Sequence, residues 1–344
     1  MRSNKQLNLI PLSGTKRSFF RQIFVFWAFA FCLAACAAPI PAPTPQPTVT
    51  PMPVPTSTPV PRPFRVIAYV TDAVILELIP FEKLTHINFA FLLPNADGTF
   101  QRFYNPGKTR ELVQRAHARG VKVLVSIGGW GLDPQFEALA ADPQTRAVFI
   151  AEAFKIVDDY GFDGVDLDWE YPDPGPSSEN FLALVREMRA ARPSQLLTAA
   201  VISYGDDTGL GIPTETFALF DFINIMTYDG PDHGTLAQFQ TGLAYWLGRG
   251  LPPEKLVMGM PFYSRPGEVP YRKLVKNDPA AAQTDVFLYH GSEERYNGIP
   301  TVQKKTCLAL AQASGIMFWT LEHDDSGNAS LLTAINQALA NCQP

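Results

Sequence analysis

The sequence predicts an α/β chain folded as a (β/α)8 barrel, and three observations carry that prediction. Past Pro63, eight β-like runs alternate with helical stretches, the pattern of a parallel sheet with crossover helices. The eight pairs occupy about 280 residues, close to the roughly 250 typical of such barrels. No G-x-G-x-x-G opens a strand-to-helix turn, which argues against an open doubly wound sheet.

Before the barrel come two segments of different composition. Arg2, Lys5, Lys16, Arg17 and Arg21 precede an almost wholly apolar stretch over 23–35, so 1–35 reads as an export signal. About thirteen apolar residues fall short of the roughly 20 that a spanning helix needs. The stretch ends in Leu33-Ala34-Ala35-Cys36, which resembles the lipobox of bacterial lipoproteins, where cleavage precedes an acylated Cys. The resemblance implies a lipidated Cys36 and an exported, membrane-anchored protein facing outward, with simple secretion as the alternative. Segment 36–63 holds 11 of the chain's 31 prolines among Thr, Val and Ala, a composition that favours extended polyproline II. At about 3.1 Å per residue such a spacer reaches up to ~80 Å.

The barrel domain is expected over 64–344, its strands read where Val, Ile, Leu and Phe cluster in short runs. In order, these are 64–70, 84–92, 122–127, 164–169, 196–203, 222–227, 255–263 and 316–321. Helical stretches are read over 109–119, 143–160, 178–191, 236–247, 301–313 and 329–340. At 46% hydrophobic and 18% charged, the 344-residue chain can bury a full core. Loss of the signal's five cations would leave 23 Lys+Arg against 33 Asp+Glu. With no basic stripe, nothing points to nucleic acid. Cys307 and Cys342 remain, read near the ends of the last two helices, as an even choice between a disulfide and two buried thiols.

The fourth strand carries the unusual chemistry. Phe162 to Pro172 reads F-D-G-V-D-L-D-W-E-Y-P, with four carboxylates in eight residues. Burying that many acids is costly unless something uses them. Residues two apart on a strand share a face, so Asp166, Asp168 and Glu170 form a ladder while Val165, Leu167 and Trp169 face the other way. Asp163 has the wrong parity for the ladder and is expected to tie the strand's start to neighbouring backbone.

In a barrel, functional residues gather at the C-terminal strand ends. There the sequence places Tyr69, Ser126-Ile127-Gly128-Gly129-Trp130, Met226-Thr227-Tyr228-Asp229, Tyr263-Ser264-Arg265 and Phe318-Trp319. Aromatics and acids around one mouth read as a sugar cleft, because pyranose rings offer apolar faces for stacking and hydroxyls for charged acceptors.

The D-x-x-D-x-D-x-E run, the S-x-G-G of strand three, the M-x-Y-D of strand six and the Trp of strand eight resemble the glycoside hydrolase family 18 pattern of bacterial chitinases at every defined position. Only about 35 residues separate Arg265 from Thr301, whereas members with tunnel-like clefts insert a small α+β domain there. A more open groove without a large insertion is therefore expected.

Glu170, last on the ladder, is the natural acid for the leaving oxygen, its pKa raised by neighbouring carboxylates. A conventional retaining enzyme needs a second carboxylate about 5 Å away. Asp229 is the only serious strand-end choice for it. The resemblance implies instead that the substrate's 2-acetamido oxygen attacks its own anomeric carbon through an oxazolinium. It further implies that Asp168 holds the acetamido N–H, Tyr228 positions its oxygen, and Asp166 is backed by Tyr69 and Ser126. Trp319 would floor the pocket, lined by Met226, Asp229, Tyr263 and Arg265, with Trp130 stacking further along.

The implied substrate is chitin or N-acetylglucosamine oligosaccharides, cleaved at β-1,4 bonds by a monomer with no metal and no cofactor. Two alternatives share these residues: an endo-β-N-acetylglucosaminidase on N-glycans or cell-wall polysaccharide, and an inactive sugar-binding lectin. The lectin is disfavoured because Glu170, Asp168 and Tyr228 are all present. A calcium site is disfavoured because Leu167 and Trp169 alternate as on a strand.

Overall fold

A computed structural model describes residues 64–342 of the chain. The export signal, Cys36 and the Pro-rich linker expected over 1–63 lie outside the described residues. Among these residues no helix is long and apolar enough to cross a membrane.

Eight parallel strands close into a barrel: β1 (Arg65–Val70), β2 (His86–Leu92), β3 (Lys122–Gly128), β4 (Gly164–Asp168), β5 (Leu196–Ile202), β6 (Phe222–Met226), β7 (Leu256–Pro261) and β10 (Gly315–Trp319). The ring runs in chain order and β10 pairs with β1, so no barrel edge stays open. The helices are α1 (Pro106–His117), α2 (Asp133–Ala141), α3 (Pro143–Tyr160), α4 (Pro176–Ala191), α5 (Asp206–Gly209), α6 (Thr216–Leu219), α7 (Leu236–Gly248), α8 (Tyr271–Asn277), α9 (Ile299–Gln312) and α10 (Leu331–Asn341). An antiparallel hairpin, β8 (Val286–Tyr289) with β9 (Ser292–Arg295), stands apart from the barrel.

Several ends are set by local chemistry. Asn105, Asp142 and Ser330 cap α1, α3 and α10 by accepting from backbone N–H groups of the first turn. Gly161, at φ 76°, ends α3 in a left-handed conformation and turns the chain directly into β4.

The structure departs from the expected boundaries in identifiable places. The strand read over 84–92 begins at His86, because Phe81–Lys83 forms a 3-10 turn and Leu84 closes it. The last strand stops at Trp319, where Leu321–His323 takes another such turn. Helix α2 went unread because a single residue, Asp142, separates it from α3. The connection from β7 to α9 holds only α8, a 3-10 turn and the hairpin, so no large α+β domain is inserted.

Two apolar layers stabilise this arrangement. The larger lies between barrel and helices and takes the outward parity of each strand, including Val165, Leu167 and Trp169. Each such side chain, fully buried, contributes about 1.5–3 kcal/mol. Trp169 stacks on Phe136 of α2 at 5.1 Å and donates its indole N–H to Asp133 at 2.8 Å. The smaller layer lies inside the barrel and includes Tyr69, Met226, Tyr228, Tyr263 and Met317. Cys307 and Cys342 are joined as a disulfide with Cα atoms 5.6 Å apart. Cys307 sits in the body of α9 rather than near its end, and Cys342 just past α10.

Candidate active site

Parity on β4 divides the acids. Asp163 stays outside the barrel at the strand's start, where its carboxylate accepts from the Val123 backbone N–H at 2.7 Å and faces His117 at 2.8 Å. Asp166 points inward and is fully buried. It pairs in register with Ser126 on one side and Thr198 on the other, so two hydroxyls flank it on the neighbouring strands. Its Oδ2 accepts from Tyr69 and Ser126, each at 2.8 Å. Its Oδ1 accepts from Thr198 at 2.5 Å and from the Asn224 amide at 3.1 Å. Burial raises the Asp166 pKa, and the four donors oppose that shift.

Asp168 is in a different position. It is buried, and its Oδ1 has no donor among the described residues. Burial, then the charges of Glu170 and Asp166, push its pKa well above the usual carboxylate range. The β3 end makes room for it: a Cβ on Gly128, at φ 122°, would lie 2.1 Å from the Asp168 carbonyl oxygen. The next residue, Gly129, donates its N–H to that oxygen at 2.8 Å.

Glu170 is partly buried at the top of the ladder. Desolvation raises its pKa to about 7; the Tyr171 hydroxyl opposes the shift and the Asp229 charge adds to it. A carboxyl with a pKa near 7 can hold a proton at neutral pH and release it to a developing alkoxide. The ladder therefore has a donor-rich base, a donor-poor middle and a tip whose pKa is raised to about 7.

Tyr228 and Asp229 follow β6. Tyr228 is 9% exposed, and its hydroxyl pKa is raised by burial and by Tyr263, Asp168, Asp229 and Glu170, which places it among the ladder acids. Asp229, at φ 62°, is held from three sides. Its Oδ1 accepts from the Tyr263 hydroxyl at 2.7 Å and from Arg265 Nε at 2.8 Å, and its backbone N–H donates to His233 Nδ1 at 3.0 Å. Burial alone would raise its pKa, but the hydrogen bonds from Tyr263 and Arg265 and the Arg265 charge outweigh it and bring the carboxyl to about 2.

The loop carrying Asp229 is pinned from beneath. Gln238 donates to the Asp229 carbonyl at 2.8 Å and accepts from Gly234 N–H at 2.9 Å. Lys305, fully buried, donates to the Gly234 carbonyl at 2.7 Å and to Asn297 at 2.8 Å. Desolvation lowers the Lys305 pKa to about 7.

Trp319 ends β10 and stacks on Phe91 with ring centroids 5.3 Å apart, tilting against Tyr69 at 5.8 Å. Met226, Tyr263 and Tyr69 share its inner apolar cluster. Trp130, by contrast, stands 81% exposed on the loop after β3. The structure thus gathers Tyr69, Ser126, Asp166, Asp168, Glu170, Met226, Tyr228, Asp229, Tyr263, Arg265 and Trp319 at one barrel mouth, with Trp130 exposed on the loop that follows β3.

Sequence reasoning missed Thr198, Asn224, Phe91, Tyr171 and His233. Thr198 and Asn224 have inward parity on the fifth and sixth strands, a signal available once the barrel interior is known to be polar.

Comparison with known proteins places this geometry in a family context. The family model described as glycosyl hydrolases family 18 matches residues 65–328. A probable endochitinase of Caenorhabditis elegans is 34% identical over 224 residues, covering 53% of this chain and 36% of that protein. Chitinase 1 of Aphanocladium album is 27% identical over 237 residues, covering 54% of this chain and 56% of the relative, so the chain spans only part of the curated relatives it matches. Among solved structures, the chitinase ChiB from the chitin utilization locus of Flavobacterium johnsoniae superposes with a TM-score of 0.70 at 28% identity, covering 80% of this chain and 94% of the other.

Proposed function

Because the chain belongs to family 18 of the glycosyl hydrolases, we propose that it is a retaining, chitinase-type glycosidase cleaving β-1,4 bonds in N-acetylglucosamine polymers. One observation carries the reading: Asp166 is surrounded by four donors, while burial raises the pKa of both Asp168 and Glu170 above it, and the charges of Glu170 and Asp166 raise that of Asp168 further.

On this reading Glu170 donates its proton to the leaving glycosidic oxygen. Asp168 then accepts the acetamido N–H, and Tyr228 donates to the acetamido oxygen that attacks the anomeric carbon. The substrate supplies the nucleophile because the one other nearby carboxylate with a strand-end position, Asp229, is committed to Tyr263 and Arg265 and has a pKa of about 2. A carboxylate so held is a poor nucleophile. Trp319, backed by Phe91, offers a flat apolar floor to the reacting sugar.

The test is to incubate wild type and Glu170→Gln with chitooligosaccharides and, separately, with an N-glycosylated protein, reading products by mass. Wild-type cleavage of the oligosaccharides, lost by orders of magnitude in Glu170→Gln, supports the reading. Release of N-glycans alone redirects it to the endo-β-N-acetylglucosaminidase alternative, and a Glu170→Gln enzyme at wild-type rates defeats it.

The export reading rests on the sequence of 1–36. We propose a lipid anchor on Cys36 and a catalytic domain held off the membrane surface by the Pro-rich spacer. Cys36→Ser should move the protein from the membrane pellet to the soluble fraction; a variant still in the pellet would exclude the anchor.

A further inference from the structure

A cleft of about 870 Å³ beside the sugar pocket has no part in the chemistry above. Its walls are the segment 73–83 after β1, helix α8 after β7 and the segment 321–333 after β10. These connections leave the C-terminal ends of β1, β7 and β10, next to Tyr69, Tyr263 and Trp319.

The two long walls differ in character. One is apolar and solvent-facing, with Ile75 at 57% and Leu78 at 61% exposure. The other is basic, formed by Arg272, Lys273 and Lys276 of α8. Arg272 and Lys276 stand at i and i+4 on one helix face, a like-charge pairing that destabilises a helix unless an anion relieves it. Among the described residues none of the three side chains has an ion-pair or hydrogen-bond partner, Lys273 bonding only through its backbone N–H to the Pro270 carbonyl.

The acids of the same cleft are already engaged. Asp324 accepts from the backbone N–H groups of Leu331 and Leu332 and from the Ser330 hydroxyl. Asp325 accepts from the Gly327 and Ala329 N–H groups, and Glu322 Oε1 from the Thr71 N–H and hydroxyl. Neutral donors hold these carboxylates in place within the fold, whereas no such partner holds the side chains of the α8 cations. Lys83 closes one end, its ammonium donating to Thr333 at 2.8 Å. His323, between the cleft residues Glu322 and Asp324, has its ring 6.2 Å from that of Tyr263, and its pKa is lowered by burial and by the charges of Arg272 and Lys273.

We propose that this cleft is a second glycan site, binding a carboxylate-bearing sugar of the same polysaccharide whose N-acetylated sugar occupies the reacting pocket. Arg272, Lys273 and Lys276 would hold the carboxylate, and the Ile75 and Leu78 wall would cover the ring's apolar face. The substrate is then an N-acetylated polymer with acidic sugars rather than a wholly neutral one. The inference rests on the glycosidase reading of the neighbouring pocket.

The experiment uses the full chain with Glu170→Gln to prevent turnover. Calorimetry compares three ligands of equal length: chitooligosaccharides, peptidoglycan glycan strands bearing lactyl carboxylates, and the same strands with those carboxylates reduced to alcohols. The carboxylate strands should bind about tenfold more tightly than the reduced ones, with the advantage shrinking as salt rises. Adding Arg272→Ala, Lys273→Ala and Lys276→Ala together should abolish it, and Gln in place of Ala at all three positions provides a second variant should the first fold poorly. Equal affinity for carboxylate and reduced strands, or an advantage that survives the triple substitution, overturns the second site and leaves the pocket reading intact. Failure of all three ligands to bind defeats the pocket reading along with it.

Discussion

Replacing Thr198 by Val removes one donor from Asp166 at nearly constant volume. The Thr198 hydroxyl lies 2.5 Å from Asp166 Oδ1, and both side chains are fully buried. A hydrogen bond to a charged group contributes about 1.5–3 kcal/mol, so its loss disfavours the ionised form and raises the Asp166 pKa. The sign of the pH dependence follows from linkage. Asp166 already has a raised pKa in the folded state, so the native state loses stability as pH rises from the unfolded value of about 3.9 to the folded one. The variant lifts the folded value further and widens that window. Its loss should therefore be smaller at pH 4 than at pH 8, by up to about 1.5–3 kcal/mol. Urea unfolding followed by tryptophan fluorescence at the two pH values measures the difference. An identical loss at both would show that Asp166 is not ionised in its ring of donors, and the division of roles within the ladder would fail.

Tyr171→Phe removes the hydroxyl that favours ionised Glu170, whose pKa is about 7. The alkaline limb of kcat/KM should move upward by about one unit, and a limb that stays in place would separate Tyr171 from the acid. Lys305 has its pKa lowered to about 7 by burial, so the folded state binds fewer protons than the unfolded chain between about 7 and 10.4 and gains stability as pH rises through that range. Thermal melts of wild type and Lys305→Met should therefore diverge in wild type's favour from pH 7 to pH 10; parallel curves would mean that burial does not lower the Lys305 pKa.

Much of the site was legible because strands have a period of two. Once 164–169 is read as a strand, Asp166, Asp168 and Glu170 must share a face, and the outward burial of Val165, Leu167 and Trp169 follows from the same parity. The barrel was legible because its helices and strands alternate at short, regular intervals. What escaped depends on pairing between strands. Thr198 is a common strand residue, and its importance arises only from lying level with Asp166 across the β4–β5 ladder. Asn224 reaches Asp166 from a strand that is not its neighbour, across the barrel interior. Lys305 reads as a solvated residue of a surface helix, yet Gly234 and Asn297 draw its ammonium inside. The connection between β7 and α9 was read only by its length; that length excluded a large domain but hid α8, whose cations line the second cleft.

The central claim is that the substrate's own acetamido group attacks the anomeric carbon while Glu170 protonates the leaving oxygen. Proton NMR of the first products from chitotetraose, recorded before mutarotation, tests it most directly. Two displacements at one carbon predict a β-anomer at the new reducing end, whereas α-anomer at the earliest times would require a single inversion by water and would contradict the account.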